Sequence, residues 1–293
     1  MAKFVLSAFA DEAGSSLDEQ IAALRANGID YIEPRNIGSK PILTLTDEEL
    51  REVRKKLDEN GIKVGSLGSP IGKYPINEPF EIHLKDFERA LDVCDVLGTK
   101  NMRMFSFFVE QEELEKYRDE VIRRLKVLSE MAEARGIRLC HENESRIYGQ
   151  MPGEVRDLLA AVPALFGIFD PANYRMNDAD PYEGIEATMV NFAYMHIKDA
   201  HYETQTILPA GEGEGKIPEI IDVINSRVDG VVMLTLEPHL AVFDAYKDID
   251  DHELKGRYTF KNNREAFDFA ANTLKSVLRD RGYERNGNNE WIK

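Results

Sequence analysis

The sequence predicts a single (β/α)8 barrel, and three observations carry that prediction. Eight short apolar runs alternate with amphipathic helical segments along 293 residues. The runs are apolar on both faces, as parallel strands are when helices cover them. Four of the helical segments close on a glycine, at Gly28, Gly61, Gly98 and Gly136, the residue that most readily takes the left-handed turn ending a helix. Eight such units fit a closed barrel in a chain of this length. An open doubly wound sheet is the runner-up. It requires no particular count, and no Gly-x-Gly-x-x-Gly sequence follows the first strand to support a dinucleotide site.

Taken in order, the first run is Phe4 to Ala10, ending at Asp11 and Glu12. Ser16 to Asn27 reads as a helix with Leu17, Ile21 and Leu24 on one face. Ile29 to Ile32 is a short strand ending at Glu33. Thr46 caps the next helix, and Glu48 and Glu49 suit its positive end. Ile62 to Leu67 is strand three, followed by a Gly- and Pro-rich loop. Phe80 to Leu97 is a long helix, Asn101 to Phe105 strand four, and Glu110 to Arg135 a helix. Strand five is the run from Ile137 into His141, Glu142, Asn143 and Glu144. Pro152 to Ala160 is helical, and Leu165 to Phe169 is strand six, ending at Asp170. Pro181 to Met189 is helical, and Phe192 to Ile197 is strand seven. A G-E-G-E-G loop leads to the helix Pro218 to Ser226, and Gly230 to Leu236 is strand eight, ending at Glu237. The last helix is Lys261 to Arg281. No linker, repeat or composition break divides the chain. It reads as one domain over residues 1–293, with the barrel at about 4–278 and a loosely held polar tail at 282–293.

Composition narrows the function. The chain is 43% hydrophobic and 31% charged, with a net charge of -16. So acidic a protein repels phosphate backbones, which argues against nucleic acid as a partner. Cys94 and Cys140 sit in apolar stretches, as buried thiols in a reducing compartment do, and they form no zinc motif. The N-terminus lacks a signal h-region, and no run is long and apolar enough for a membrane span. The expectation is a cytoplasmic protein with no membrane partner. A long last helix offers a face for a homo-oligomer, a dimer or tetramer, though its apolar stripe is equally suited to packing on the barrel.

The chemistry lies in four consecutive runs. Strands five to eight end in Glu142, Asp170, His196 and Glu237, on the face where barrels of this class place their active sites. A lone acid at a strand end is usually a solvated loop residue or a helix cap, and a lone His in an apolar strand is usually a bonded core residue. The conjunction of four tips argues otherwise. Three carboxylates and an imidazole make a hard, oxygen-rich ligand set. It suits one divalent ion, Mn²⁺, Mg²⁺ or Co²⁺ ahead of Zn²⁺, with positions left for substrate oxygens. Side-chain alternation sets His141 apart from Glu142 but does not separate Glu142 from Glu144. Arg103 and Lys198 lie near the tips of strands four and seven and can grip a hydroxyl, carboxylate or phosphate. Asn143, Glu33 and Glu12 are further polar tip residues. The G-E-G-E-G loop alternates glycine with acid, which would repel a phosphate, so it reads as a loop shaping the entry to the next helix.

The series H-E-N-E (141–144), F-D-P-A-N (169–173), M-H-I-K-D (195–199), G-E-G-E-G (211–215) and L-E-P (236–238) resembles the xylose isomerase-like barrels of the sugar phosphate isomerase/epimerase family. Ketose 3-epimerases, inosose dehydratases and endonuclease IV belong to that group. The resemblance spans about Phe4 to Leu278. It implies that Glu142, Asp170, His196 and Glu237 are the metal ligands and that Glu142 and Glu237 are the acid/base pair. It thereby decides for Glu142 and leaves Glu144 a place on the pocket rim. Arg103, Lys198, Asn143, Asn173 and Glu33 are the expected substrate-binding residues. Two positions depart from the ketose 3-epimerases. Asn173 stands where they carry a His, and an amide cannot act as an acid or base near neutral pH. Tyr202 stands where they carry an Arg.

The expected activity is metal-dependent isomerisation or epimerisation of a sugar or polyol, by proton abstraction beside a carbonyl. Elimination of water from a keto-polyol is the alternative. Endonuclease IV-like repair conflicts with the charge and the scarcity of His ligands. Sugar binding without turnover is the non-enzymatic reading.

Overall fold

The computed structural model describes residues 1–241 and 257–293. Eight parallel strands form the ring: β1 (Ala2–Ala8), β2 (Tyr31–Ile32), β3 (Lys63–Val64), β4 (Asn101–Met104), β5 (Arg138–Glu142), β6 (Leu165–Phe169), β7 (Phe192–Ile197) and β8 (Gly230–Leu236). From β4 to β8 each strand pairs with the next, and β8 closes on β1 from Ala2↔Gly230 to Ala8↔Leu236. β2 pairs with β3. The Glu33 N–H donates to the Ala8 carbonyl beside β1, and Leu67 bonds both ways with β4 through Asn101 and Arg103. These bonds complete the circle.

Among the described residues the α-helices are α1 (Leu17–Asn27), α2 (Asp47–Glu59), α3 (Phe80–Leu97), α4 (Leu114–Ala134), α5 (Pro152–Ala161), α6 (Pro171–Met176), α7 (Pro181–Thr188), α8 (Ile217–Arg227) and α9 (Asn263–Asp280). Their starts follow from local chemistry. Ser16 and Thr46 each accept the N–H three residues on, while Glu19 and Glu49 reach back, which makes two capping boxes. α1 and α3 end on left-handed Gly28 and Gly98. None of the described helices is long and apolar enough to cross a membrane.

Side-chain alternation divides the ring into an inner and an outer face. Val5, Cys140, Ile168, Tyr194 and Met233, one from each of β1, β5, β6, β7 and β8, form their own buried cluster inside the barrel. The main core lies between strands and helices. Cys94 and Cys140 are both buried and unpaired.

Three features depart from the sequence reading. The tail is not loosely held. Glu284–Arg285 and Trp291–Ile292 form a hairpin whose Trp291 pairs antiparallel with Phe4 of β1. Trp291 is 4% exposed, so burial of one large ring anchors a segment that is otherwise polar. The F-D-P-A-N stretch opens the short helix α6, capped by the Asp170 side chain on the Asn173 N–H. The stretch after strand seven holds a small antiparallel pair, Asp199–His201 with Thr206–Leu208.

Candidate metal centre and active-site cavity

The four ligand-type tips meet because they share the parity of the inner cluster. Glu142 is two residues past Cys140, Asp170 two past Ile168, His196 two past Tyr194, and Glu237 four past Met233. Each therefore points along the barrel axis at its C-terminal mouth. One ligand atom from each lies within 4.8 Å of all the others, and all four residues are buried. His196 Nδ1 is 3.1 Å from Glu142 Oε1 and 3.6 Å from a Glu237 oxygen. Isolated buried carboxylates would be costly. Here Lys198 lies 3.2 Å from Asp170 and 3.1 Å from Glu237, and Arg103 lies 3.3 Å from Glu142.

The charges shift one another. Burial pushes the Asp170 carboxyl up to about 6, with Lys198 opposing and Glu142 and Glu237 adding to the rise. Burial also opposes ionisation of Glu142, but His196 and Arg103 outweigh it and hold that carboxyl down at about 2. Burial is likewise outweighed at Glu237, which Lys198 foremost holds well below the usual carboxylate range. At His196 burial pulls the imidazole down, and Glu142 and Glu33 more than reverse this, to about 10. The donor set fits a divalent cation: oxygen-rich, ionisable, buried, and converging on one point. Asp170 Oδ2 is buried and accepts no well-formed hydrogen bond, with the Lys198 ammonium 3.2 Å away as its cation, which leaves lone pairs for an ion.

The supporting residues explain why the ligands hold their places. The Asn143 amide donates to the Asp170 carbonyl at 3.0 Å and accepts the Asp170 N–H at 2.9 Å. This double bond to the backbone fixes the β6 tip against the β5 tip. Glu33 lies behind His196 and off the cavity wall. It is fully buried, accepts from the Tyr194 hydroxyl at 2.8 Å, and has its other oxygen 3.6 Å from His196 Nε2. A carboxylate behind the outer nitrogen selects the tautomer that turns Nδ1 toward the ligand group. His141, of opposite parity, lies 2.8 Å from the Ser106 hydroxyl.

Above the ligands opens a cavity of about 700 Å³. Of the residues expected to bind substrate, Arg103, Lys198 and Asn173 line its wall, and Asn143 and Glu33 do not. Asn173 donates to Glu142 Oε1 at 3.3 Å and to the Asn143 carbonyl at 2.8 Å, a role an amide fills without proton transfer. Glu144 reaches the wall too, paired with Lys73 at 2.9 Å.

Three contributors were missed by the sequence reading. Arg35 binds Asp11 through two bonds of 3.0 Å and reaches Glu237 at 3.1 Å and Glu12 at 3.3 Å. Its signal was a cation two residues past Glu33. Lys73 comes from the loop after β3. His239 adopts a φ of 46°, uncommon for a side chain with a Cβ. Its N–H donates to Glu12 at 2.7 Å, and its Nε2 lies 3.4 Å from Glu12 and 3.6 Å from Glu237. Glu12, Glu237 and His239 thus make a second ligand-like group, into which Arg35 inserts its guanidinium. Burial, with Glu237 and Asp11 adding and Arg35 opposing, pushes the Glu12 carboxyl up to about 8.

The G-E-G-E-G loop is built on one acid. Asp199 accepts the N–H groups of Ala200, Gly211, Gly213 and Gly215 at 2.8–3.1 Å. A Cβ at Gly213 would fall 2.3 Å from the Asp199 carboxylate, so the loop requires glycine where it wraps that acid.

No curated protein matches the sequence significantly. Solved structures match at low identity over nearly the whole chain. A probable 3-DHS dehydratase, AsbF, from Bacillus anthracis shares 14% identity, with 93% of this chain and 98% of that chain covered and a TM-score of 0.71. An L-ribulose 3-epimerase shares 17%, covering 96% and 97%, at 0.69. The IOLI protein with a bound zinc atom shares 16%, covering 95% and 99%, at 0.71. These likenesses establish the fold. The sequence model of the xylose isomerase-like TIM barrel matches residues 21–252. The chain therefore belongs to the xylose isomerase-like TIM barrel family.

Proposed function

We propose that this protein is a divalent-metal-dependent isomerase or epimerase of a sugar or polyol. The observation that carries the reading is the convergence of Glu142, Asp170, His196 and Glu237 at the floor of a cavity sized for a small polar molecule. These four side chains would hold the ion, with Mn²⁺, Mg²⁺ or Co²⁺ favoured by the oxygen-rich set. A bound ion polarises a substrate carbonyl or hydroxyl and stabilises negative charge that develops beside it.

The chain's own residues supply the proton chemistry. Glu142 and Glu237 both line the cavity and both are held ionised, so each can take a proton from a carbon beside a carbonyl. One removes it, and the other, once it has taken up a proton from solvent, delivers that proton to the carbon. Asn173 steadies Glu142, and Lys198 and Arg35 grip different oxygens of Glu237. Arg103 and Lys198 orient the substrate's oxygens from the wall. The ligand side chains at the floor are almost fully buried, and a low-dielectric surrounding strengthens each of these interactions.

A second reading is loss of water after the same proton removal. Glu144 favours it, because this third wall carboxylate lies outside the ligand group and, once it has accepted a proton, can pass that proton to a departing hydroxyl. Product mass separates the two, since elimination removes one water and isomerisation changes nothing.

The test is a panel of sugars and polyols in D₂O with Mn²⁺-loaded protein, read by NMR for deuterium entering a C–H position. Exchange that vanishes in Glu142→Gln and Glu237→Gln supports the reading. Full turnover in each variant on a confirmed substrate would remove the acid/base pair.

A further inference from the structure

The cavity wall has a charge opposite to that of the molecule. The chain carries -16 overall, yet four wall residues are cations, Lys73, Arg103, Arg146 and Lys198. Of the three wall acids, Glu142 and Glu237 belong to the ligand group, whose charge a divalent ion would largely neutralise. Glu144, paired with Lys73 at 2.9 Å, is the one wall acid outside that group, so the wall cations remain in excess. A low-dielectric cleft of one sign concentrates ligands of the other.

Arg103 is the centre of this arrangement. It is 6% exposed, and a guanidinium keeps its charge at any working pH. Its Cζ lies 4.9 Å from the Phe9 ring and 5.1 Å from the Phe105 ring, so two aromatic faces fix its position. Its hydrogen bonds are few and long, 3.3 Å to Glu142 and 3.4 Å to the Ser69 carbonyl, and its Nε has no partner. Its only further ion pair is a long one, 3.9 Å to Glu237, so a rigid fork of five donors stands in the cavity wall with capacity to spare. Lys73 shares the Phe105 ring, with Nζ 4.6 Å from its centroid. The two cations thus pack on the same aromatic side chain.

From this geometry we infer that the substrate is an anion, a sugar or polyol bearing a carboxylate or phosphate that Arg103 and Lys73 receive. Lys198, bonded to Asp170 and Glu237, faces the part of the substrate next to the ligand group. The inference rests on the proposed function for the polyol portion, whereas the anion subsite stands on Arg103 and Lys73 alone. A planar carboxylate matches the guanidinium fork in two parallel bonds, and a phosphate matches it in the same way.

The experiment uses three four-carbon probes: erythronate, erythritol 4-phosphate and neutral erythritol. Calorimetry measures their binding to the full chain, with Mn²⁺ and without it, and Mn²⁺ loading is followed separately by EPR. One or both anions should bind at least about tenfold more tightly than erythritol, the scale of a charged hydrogen bond. That advantage should shrink with added salt. The anion that binds identifies carboxylate or phosphate. Lys73→Met, at the partly exposed edge, should lower anion affinity about tenfold and leave erythritol unchanged, and Arg103→Met should weaken the anions about tenfold more than it weakens erythritol. Lys73→Met preserves the test where Arg103→Met fails to fold. Equal affinity for all three probes, tighter binding of erythritol, or no anion binding at 50 mM overturns the inference. Failure of Mn²⁺ to load would instead sink the metal reading, and the metal-free titrations would still decide the anion subsite.

Discussion

Arg35 donates to one oxygen of Glu237 across 3.1 Å, while Lys198 holds the other oxygen at the same distance. The carboxylate at the β8 tip is therefore gripped from two elements before any ligand arrives. Arg35 also fills the space between Glu237 and Glu12. A cation built into the chain thus stands where a second ion would need to bind. The expected stoichiometry is one divalent ion per chain, measured by elemental analysis after dialysis against Mn²⁺. Glu142→Gln, Asp170→Asn and His196→Ala should each reduce it toward zero.

Metal affinity should rise with pH. Ligating imidazole must be neutral, and Glu142 and Glu33 hold the His196 pKa up at about 10 against burial. Asp170, raised by burial to about 6, must also be ionised. Binding therefore expels protons, and affinity should climb as the pH is raised from about 5 to about 8. Calorimetry in buffers of different ionisation enthalpy would count the protons released. Affinity that is flat across this range would contradict the charge assignment.

Asn143 should matter to the ion without touching it. Asn143→Leu removes both bonds to the Asp170 backbone. Loss of such a support costs roughly tenfold to a hundredfold in metal affinity. The expected signature is weaker Mn²⁺ binding with the circular dichroism spectrum intact.

Asp199→Ala should loosen the glycine loop. Four N–H groups would lose their acceptor. Each buried donor left without a partner costs about 1–3 kcal/mol, less where water enters. A loss of about 3 kcal/mol in urea denaturation is expected, together with new proteolytic cleavage at residues 209–216.

Stability should also fall in mild acid through a histidine outside the ligand group. Burial, helped by Arg124, pulls His83 from 6.5 down to about 4. Its Nε2 accepts the Gly72 N–H at 3.2 Å. Between these two values the unfolded chain binds a proton that the folded chain refuses. The contribution is thus fully present above about 6.5 and is lost as the pH falls toward about 4. His83→Gln keeps an acceptor and should flatten the pH slope by up to one proton.

Much of this site was legible in the sequence because parity is a local property. Glu142, Asp170, His196 and Glu237 follow apolar runs whose alternation survives folding, and the family motifs chose Glu142 over Glu144. What escaped depends on loops. Arg35 and Lys73 lie past the tips of β2 and β3, strands of two residues each, too short for alternation to aim a side chain. His239 is directed by a left-handed backbone that its residue type does not announce. Glu33 ended a strand as expected, but only the packed ring shows it behind His196 rather than in the cavity. The tail looked polar by composition, yet a single Trp291 binds it to the barrel.

The central claim is that one divalent ion sits among these four tips. A crystal soaked in Mn²⁺ and measured at the manganese edge tests it most directly. The account predicts one anomalous peak per chain, contacted by Glu142, Asp170, Glu237 and His196 through Nδ1, with Nε2 turned to Glu33. No peak among these residues at saturating Mn²⁺, or a peak held by other side chains, would contradict it.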